Sequence, residues 1–220
     1  MTLAFSKVAI IGAGAMGRGI AQIAAQAGSQ VWLFDTQAGA SAKAREAVGQ
    51  TWDKLADKGK LTAEAVADYK SRLLEAASLQ DLAGCELVVE AIVEKIDIKK
   101  AVFADLEKVV APDAVLVTNT SSLSVTAIAA GMQQPGRFAG YHFFNPVPLM
   151  KVVEVIAGLK TDPAVCQRLS DFARQMGHTP VQAGDTPGFI VNHAGRGYST
   201  EALRIVSEGI ADFATIDRIL

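Results

Sequence analysis

The feature that most constrains this chain is Gly12-Ala-Gly14-Ala15-Met16-Gly17, set between a β-branched apolar run at 7–11 and an Ala-rich, proline-free run at 15–27. A G-x-G-x-x-G is weak evidence alone and stronger when it leaves a strand and opens a helix, as this spacing predicts. Gly12 then permits the tight turn, Gly14 the close approach of a pyrophosphate, and Gly17 the packing of helix on strand. Ala15 and Met16 lie in the first helical turn, whose free N–H groups and positive dipole end suit phosphate. A second strand at 30–34 follows Gly28, which suits a helix stop, and it ends in Asp35. That carboxylate stands roughly 20 residues past the motif, where it can bind both ribose hydroxyls and repel a 2′-phosphate. No arginine follows in Thr36-Gln37, so NAD is expected rather than NADP. A flavin nucleotide uses a similar turn and stays open at this point.

Further apolar runs at 87–90, 115–118, 138–142, 152–156 and 179–182 alternate with helical periodicity at 99–109 and 163–176. Such alternation argues for a mainly parallel, doubly wound α/β sheet with helices on both faces. Helices at 37–58 and 62–74, joined at Lys58-Gly59-Lys60, exceed a minimal crossover and are expected as an inserted helical pair, with Thr62 as an N-cap. Past Ala183-Gly184-Asp185-Thr186-Pro187-Gly188 the alternation stops and helices are expected at about 189–209 and from 214. The expected division is a nucleotide-binding domain at 1–184 and the start of an all-helical domain at 185–220.

With 21 basic against 23 acidic residues and a net charge of −2, no global attraction to nucleic acid or an anionic membrane is expected. No run approaches the ~20 apolar residues of a membrane span. Cys85 and Cys166, far apart and without a CxxC, indicate neither a disulfide framework nor a metal site. The segment MTLAFSKVAIIGAG has no basic leader with a long apolar run, so a cytoplasmic protein is expected.

The second constellation is Tyr141-His142-Phe143-Phe144-Asn145-Pro146, followed twelve residues after the histidine by Glu154. Strand alternation sets Glu154 on one face with Met150, Val152 and Ile156, an apolar row on which a carboxylate is costly unless paired. His142 is a suitable partner, and a His–Glu couple orients an imidazole as a general base near neutral pH. Asn119 and Ser121, at the end of the 115–118 strand, sit where ligands of open α/β sheets bind, although a serine among 121, 122 and 124 is also expected to cap the next helix. Glu90 and Glu94 follow the 87–90 strand, with Lys99 beyond. Asn192 lies where a second domain would close on the first.

In this order and spacing, GAGAMGRGIAQIAAQAG, VVEAIVE, TNTSSLSV, GYHFFNPVPLMKVVEV and GDTPGFIVN resemble the 3-hydroxyacyl-CoA dehydrogenases over essentially the whole chain. The resemblance implies a Rossmann-type fold and oxidation of the 3-hydroxyl of an acyl-CoA thioester by NAD. It implies that His142 takes the hydroxyl proton, that Glu154 holds His142, and that Ser121 and Asn192 line the substrate oxygen. Asp35 matches the adenosine ribose ligand, and Glu94 and Lys99 match positions near the nicotinamide. The helical pair supplies CoA contacts in that family; here it offers Lys54, Lys58 and Lys60, with Thr51 where a serine is usual. The family builds a homodimer from helices of which 192–220 resembles only the beginning, so the chain is expected to bind NAD and to turn over weakly or not at all. The blocks are closer to bacterial short-chain or dicarboxyl-type members than to mitochondrial ones.

Two other readings compete. A non-catalytic NAD-binding protein, crystallin-like or regulatory, would not need a desolvated carboxylate beside a histidine. A dehydrogenase of free 3-hydroxy acids would use a lysine in a Gly-rich helix, which is lacking here.

Overall fold

Strands and helices alternate from Lys7 onward because short β-branched runs are separated by amphipathic ones; the structure, a computed structural model, describes residues 2–219. The strands are β1 (Lys7–Ile11), β2 (Gln30–Phe34), β3 (Leu73–Glu75), β4 (Leu87–Glu90), β5 (Val115–Thr118), β6 (Phe138–Phe143), β7 (Val152–Ala157) and β8 (Thr179–Gly184). The helices are α1 (Ala15–Ala27), α2 (Ala40–Asp57), α3 (Ala63–Arg72), α4 (Ile96–Leu106), α5 (Val125–Ala129), α6 (Pro163–Gln175), α7 (Val191–Ser207) and α8 (Phe213–Ile219).

The strands form one sheet in the order β3-β2-β1-β4-β5-β6-β7-β8. All neighbours are parallel except β6 and β7. The order reverses at β1, so a crevice opens between β1 and β4 at their carboxyl ends, where open α/β sheets bind ligands. Alternate residues of each strand feed two cores. Val8, Ile10, Val31 and Leu33 pack with Ile20 of α1, Val48 of α2 and Phe172 of α6. Ala9, Ile11, Val88 and Leu116 pack with Phe103 of α4 and Ile128 of α5. This is the Rossmann-type, mainly parallel sheet that the alternation predicts.

Three details differ from the sequence reading. The helix expected to reach 74 stops at Arg72, and Leu73–Glu75 pairs with β2 at the sheet edge. The helical pair is therefore part of the crossover between two strands, and its strand is too short and too poor in β-branched residues to break a helical pattern. Met150 was expected to share the strand face of Glu154; it precedes β7 and is exposed, because the chain is still turning through Pro146 and Pro148. The helix expected from 189 begins at Val191, because Phe189 takes a left-handed backbone conformation, φ +50°. Thr62 caps α3, accepting from the N–H of Ala65 at 3.2 Å, as its position predicts.

α7 buries none of its residues, and Ile216 is the one buried residue of α8 among those described. Among the described residues, no helix is long and apolar enough to cross a membrane.

Candidate active site

The glycine turn is built by close contacts that only hydrogen at Cα allows. Gly12 has φ +101°, and a Cβ there would stand 2.6 Å from the Ala91 carbonyl oxygen of the β4 loop. At Gly17 a Cβ would meet the Gly12 carbonyl oxygen at 1.8 Å. Gly14 differs: a Cβ there meets nothing within 4 Å, so its face is open to a ligand. Gly14 is the N-cap of α1 with no side-chain cap, and no acid stands in the first turn, leaving the N–H groups near Ala15 and Met16 for an anion. Asp35, at the end of β2, accepts from the Ala13 N–H at 2.8 Å and the Gln37 N–H at 2.8 Å. Its carboxylate thus fixes the turn and stands half-buried beside it. Arg18 and Lys43 line an adjoining cavity of about 200 Å³.

At the end of β4 lies a charged cluster that the sequence reading resolved only in part. Glu90 is fully buried and accepts from Lys99 Nζ at 2.6 Å, from the Ile92 N–H at 2.7 Å and from the Thr118 hydroxyl at 2.6 Å. Lys99, expected near the nicotinamide end of a cofactor, is 1% exposed and lies beneath the loop, reaching Glu94 at 3.3 Å. Glu94 accepts from the Thr120 hydroxyl and from the Ser121 N–H at 2.9 Å. Burial raises its pKa, but the Thr120 and Ser121 hydrogen bonds and the Lys99 ammonium outweigh that and hold it below its ordinary value. Ser121 is half-buried next to this carboxylate, and Glu94 and Ser121 form one polar rim. Ser124, not Ser121 or Ser122, caps α5 through the Ala127 N–H at 3.1 Å.

The third group sits where β6 and β7 run antiparallel. His142 and Glu154 are direct register partners, and Nδ1 lies 2.6 Å from Glu154 Oε2. His142 is 5% exposed and Glu154 0%. With the carboxylate accepting, Nδ1 carries the proton and Nε2 keeps its lone pair. Phe144 and Phe189 flank the ring at centroid distances of 4.5 and 5.5 Å. Asn119 Oδ1 accepts from the N–H of Phe143 at 2.8 Å, tying the end of β5 to the residue after the histidine. Asn192 is half-buried in the first turn of α7, with no side-chain hydrogen bond among the described residues.

Sequence reasoning missed Glu90 as a fully buried anion and Phe189 altogether. The first had a signal in the lysine nine residues on; the second, inside Pro187-Gly188-Phe189, had none beyond a glycine before it. No group of three or more His, Cys, Asp or Glu among the described residues could hold a metal ion.

These features define a dinucleotide-binding α/β protein whose switch-point crevice is flanked by a buried histidine–carboxylate pair. The profile described as "3-hydroxyacyl-CoA dehydrogenase, NAD binding domain" matches residues 7–186, and the chain belongs to that family. NAD is the cofactor for which its glycine turn is built. The chain is 44% identical over 220 residues to 3-hydroxyadipyl-CoA dehydrogenase of Escherichia coli (strain K12), covering 100% of this chain and 46% of that protein. It is 41% identical to a probable 3-hydroxybutyryl-CoA dehydrogenase of Deinococcus radiodurans, covering 97% of this chain and 77% of the relative. Among solved structures, 3-hydroxybutyryl-CoA dehydrogenase from Escherichia coli K12 superposes with a TM-score of 0.91 at 44% identity, covering 94% of this chain and 44% of that one. The (S)-3-hydroxybutyryl-CoA dehydrogenase from Ralstonia eutropha gives a TM-score of 0.91 at 35% identity, covering 96% and 75%. The chain thus spans under half of the two Escherichia coli proteins and about three quarters of the other two.

Proposed function

We propose that this chain carries the cofactor-binding and catalytic part of an NAD-dependent 3-hydroxyacyl-CoA dehydrogenase, with His142 and Glu154 as the general-base pair. The observation that carries this reading is the 2.6 Å contact between His142 Nδ1 and the fully buried Glu154, beside a family NAD-binding turn. NAD, when bound there, supplies the acceptor for the hydride leaving C3 of the substrate. His142 Nε2 takes the proton of the 3-hydroxyl as the carbon becomes a ketone, and Glu154 stabilises the resulting imidazolium. Ser121 and Asn192 hold the substrate oxygen. Gly12, Gly14, Ala15, Met16 and Gly17 receive the pyrophosphate, Asp35 the adenosine ribose, and Glu94 with Asn119 the nicotinamide half. Lys99, buried between Glu90 and Glu94, serves by holding Glu94.

The substrate is an acyl-CoA thioester. In the same reading, residues 1–184 form the nucleotide-binding domain, and 185–220 begin the helical domain through which the full-length protein makes a homodimer. The unburied α7 and the exposed Tyr198, Leu203, Ile210 and Phe213 support such a covered role. Two buried free cysteines, with the Cys85 thiol pushed up to about 11 by burial, suit a reducing cytoplasm. The relatives' names favour a dehydrogenase over a non-catalytic NAD-binding protein.

The test pairs isothermal titration of NADH with steady-state reduction of acetoacetyl-CoA by the full-length form. His142→Ala is expected to keep NADH affinity and to lose about 10²–10⁴-fold in kcat. Undiminished turnover by that variant would falsify the assignment.

A further inference from the structure

Glu154 has two oxygens, and the pairing with His142 uses one. The other, Oε1, accepts from the backbone N–H of Ile190 at 2.8 Å and of Val191 at 2.9 Å. These are the first N–H groups of α7, unsatisfied within the helix and at its positive end. The residue before them, Phe189, is the one non-glycine residue with positive φ among those described, at +50°. A left-handed conformation at a residue with a large side chain is uncommon, and it persists only where surrounding contacts impose it. Here they do. The Phe189 ring is 4% exposed, belongs to the core beneath α4 and α5, and leans on His142 at 5.5 Å. Upstream, Asp185 accepts from the N–H groups of Val125 and Thr126 at 2.8 Å and from the Ser124 hydroxyl at 2.9 Å. The segment from Asp185 to Val191 is therefore pinned at both ends, with the left-handed residue between the pins.

We propose that Phe189 is a positioning residue for the acid–base pair. Its left-handed backbone aims the Ile190 and Val191 N–H groups at Glu154 Oε1, which leaves Oε2 as the sole acceptor for His142 and fixes the ring with Nε2 outward. A carboxylate held by three donors cannot rotate to present a different edge to the imidazole. The start of the helical region is in this way part of the base machinery of the sheet domain. The inference rests on the reading of His142 and Glu154 as the reactive pair, and its test includes readouts that need no turnover.

The experiment compares Phe189→Gly with Phe189→Val. Glycine keeps the left-handed conformation and loses the ring; valine, β-branched, disfavours it. Proton NMR of the 220-residue chain is expected to show a low-field His142 Nδ1–H resonance, and slow exchange at the Ile190 and Val191 amides. Phe189→Gly should retain both signals, and Phe189→Val should lose both. In the assay of the full-length form, the valine variant should fall a further 10- to 100-fold in kcat below glycine, at unchanged KM for NADH. Rapid exchange of the Ile190 and Val191 amides in the unsubstituted chain overturns the proposal, as does a valine variant that keeps the resonance. Equal loss in both variants also overturns it, since the ring alone would then be responsible. If the valine variant does not fold, Glu154→Leu decides: it removes the acceptor and should speed exchange at those two amides relative to the rest of α7, and unchanged exchange rejects the idea. Retained signals in the chain, with no turnover by the full-length form, would sink the dehydrogenase reading and leave the positioning intact.

Discussion

Two buried pairs stand at the carboxyl edge of the same sheet, each with a contact of 2.6 Å, and they are built for opposite ends. In Glu90–Lys99 both groups are held by several partners: the carboxylate has Lys99, Ile92 and Thr118, and the ammonium also reaches Glu94. In His142–Glu154 the carboxylate is equally saturated, by His142, Ile190 and Val191, but the imidazole keeps Nε2 without a partner among the described residues. The difference teaches where chemistry can occur. A closed set of donors and acceptors fixes geometry, whereas a set that is closed except for one lone pair delivers that lone pair in a fixed direction. Burial is alike in both; the unspent acceptor separates them.

The largest effect should come from opening the set at Glu154. In Glu154→Gln the amide oxygen can still accept from Ile190 and Val191, but its NH₂ then faces Nδ1. The imidazole must turn Nδ1 into an acceptor and move its proton to Nε2, where the substrate proton would have to go. A fall of about 10²–10⁴-fold in kcat of the full-length form is expected, with little change in NADH affinity by titration. Retained turnover would mean that Nε2 is not the base, and the contrast between the pairs would collapse.

Lys99→Met tests the closed pair. It strands Glu90, at 0% exposure, as an uncompensated buried charge. Breaking such a pair typically costs about 3–5 kcal/mol, while replacing both partners with apolar groups is often near neutral. The urea midpoint of Lys99→Met should therefore drop steeply, and Lys99→Met with Glu90→Leu should recover much of the loss. An unchanged midpoint in the single variant would show that Glu90 takes up a proton readily, and that this pair is less closed than its geometry indicates.

How far these pairs could be read from sequence follows from what each depends on. β1, β4 and β5 are legible because Val, Ile and Leu run unbroken through strands buried on both faces. β3 is not, since Leu73-Leu74-Glu75 continues the helical spacing of α3 and only pairing with Val31, Trp32 and Leu33 makes it a strand. The partnership of His142 and Glu154 was legible because a carboxylate on an apolar strand face demands a partner. The contact of Glu154 with Ile190 and Val191 was not, because it uses backbone groups 36 and 37 residues away whose direction is set by one φ angle. The burial of Lys99 was not legible for a related reason: a lysine in the first turn of a helix carries no signal of burial, and only the position of Glu90 at the end of a buried strand pulls it inside. Sequence pattern carries periodicity and composition well, and it carries poorly any contact made by a main-chain group in an irregular segment.

The smallest effect lies at Glu94, on the rim between the two pairs. Its side chain is 36% exposed, so solvent screens much of what Lys99 and the Thr120–Ser121 segment contribute. Burial opposes its ionisation, but those partners win and its folded pKa lies below the ordinary value of 4.5. A carboxyl depressed in the folded state contributes stability that is fully present above its unfolded pKa and is lost as pH falls through the folded one. Melting temperatures of the unsubstituted chain and of Glu94→Gln should therefore differ by a constant amount near neutral pH and converge below about 4.5. Asp185, held low by its bonds to Thr126, Val125 and Ser124 against the opposing effect of burial, titrates in the same direction but is present in both proteins and cancels in the difference. A gap that widened on acidification would reverse the sign. It would mean that Glu94 gains more from its proton than from Lys99, and that the lysine is committed to Glu90 alone.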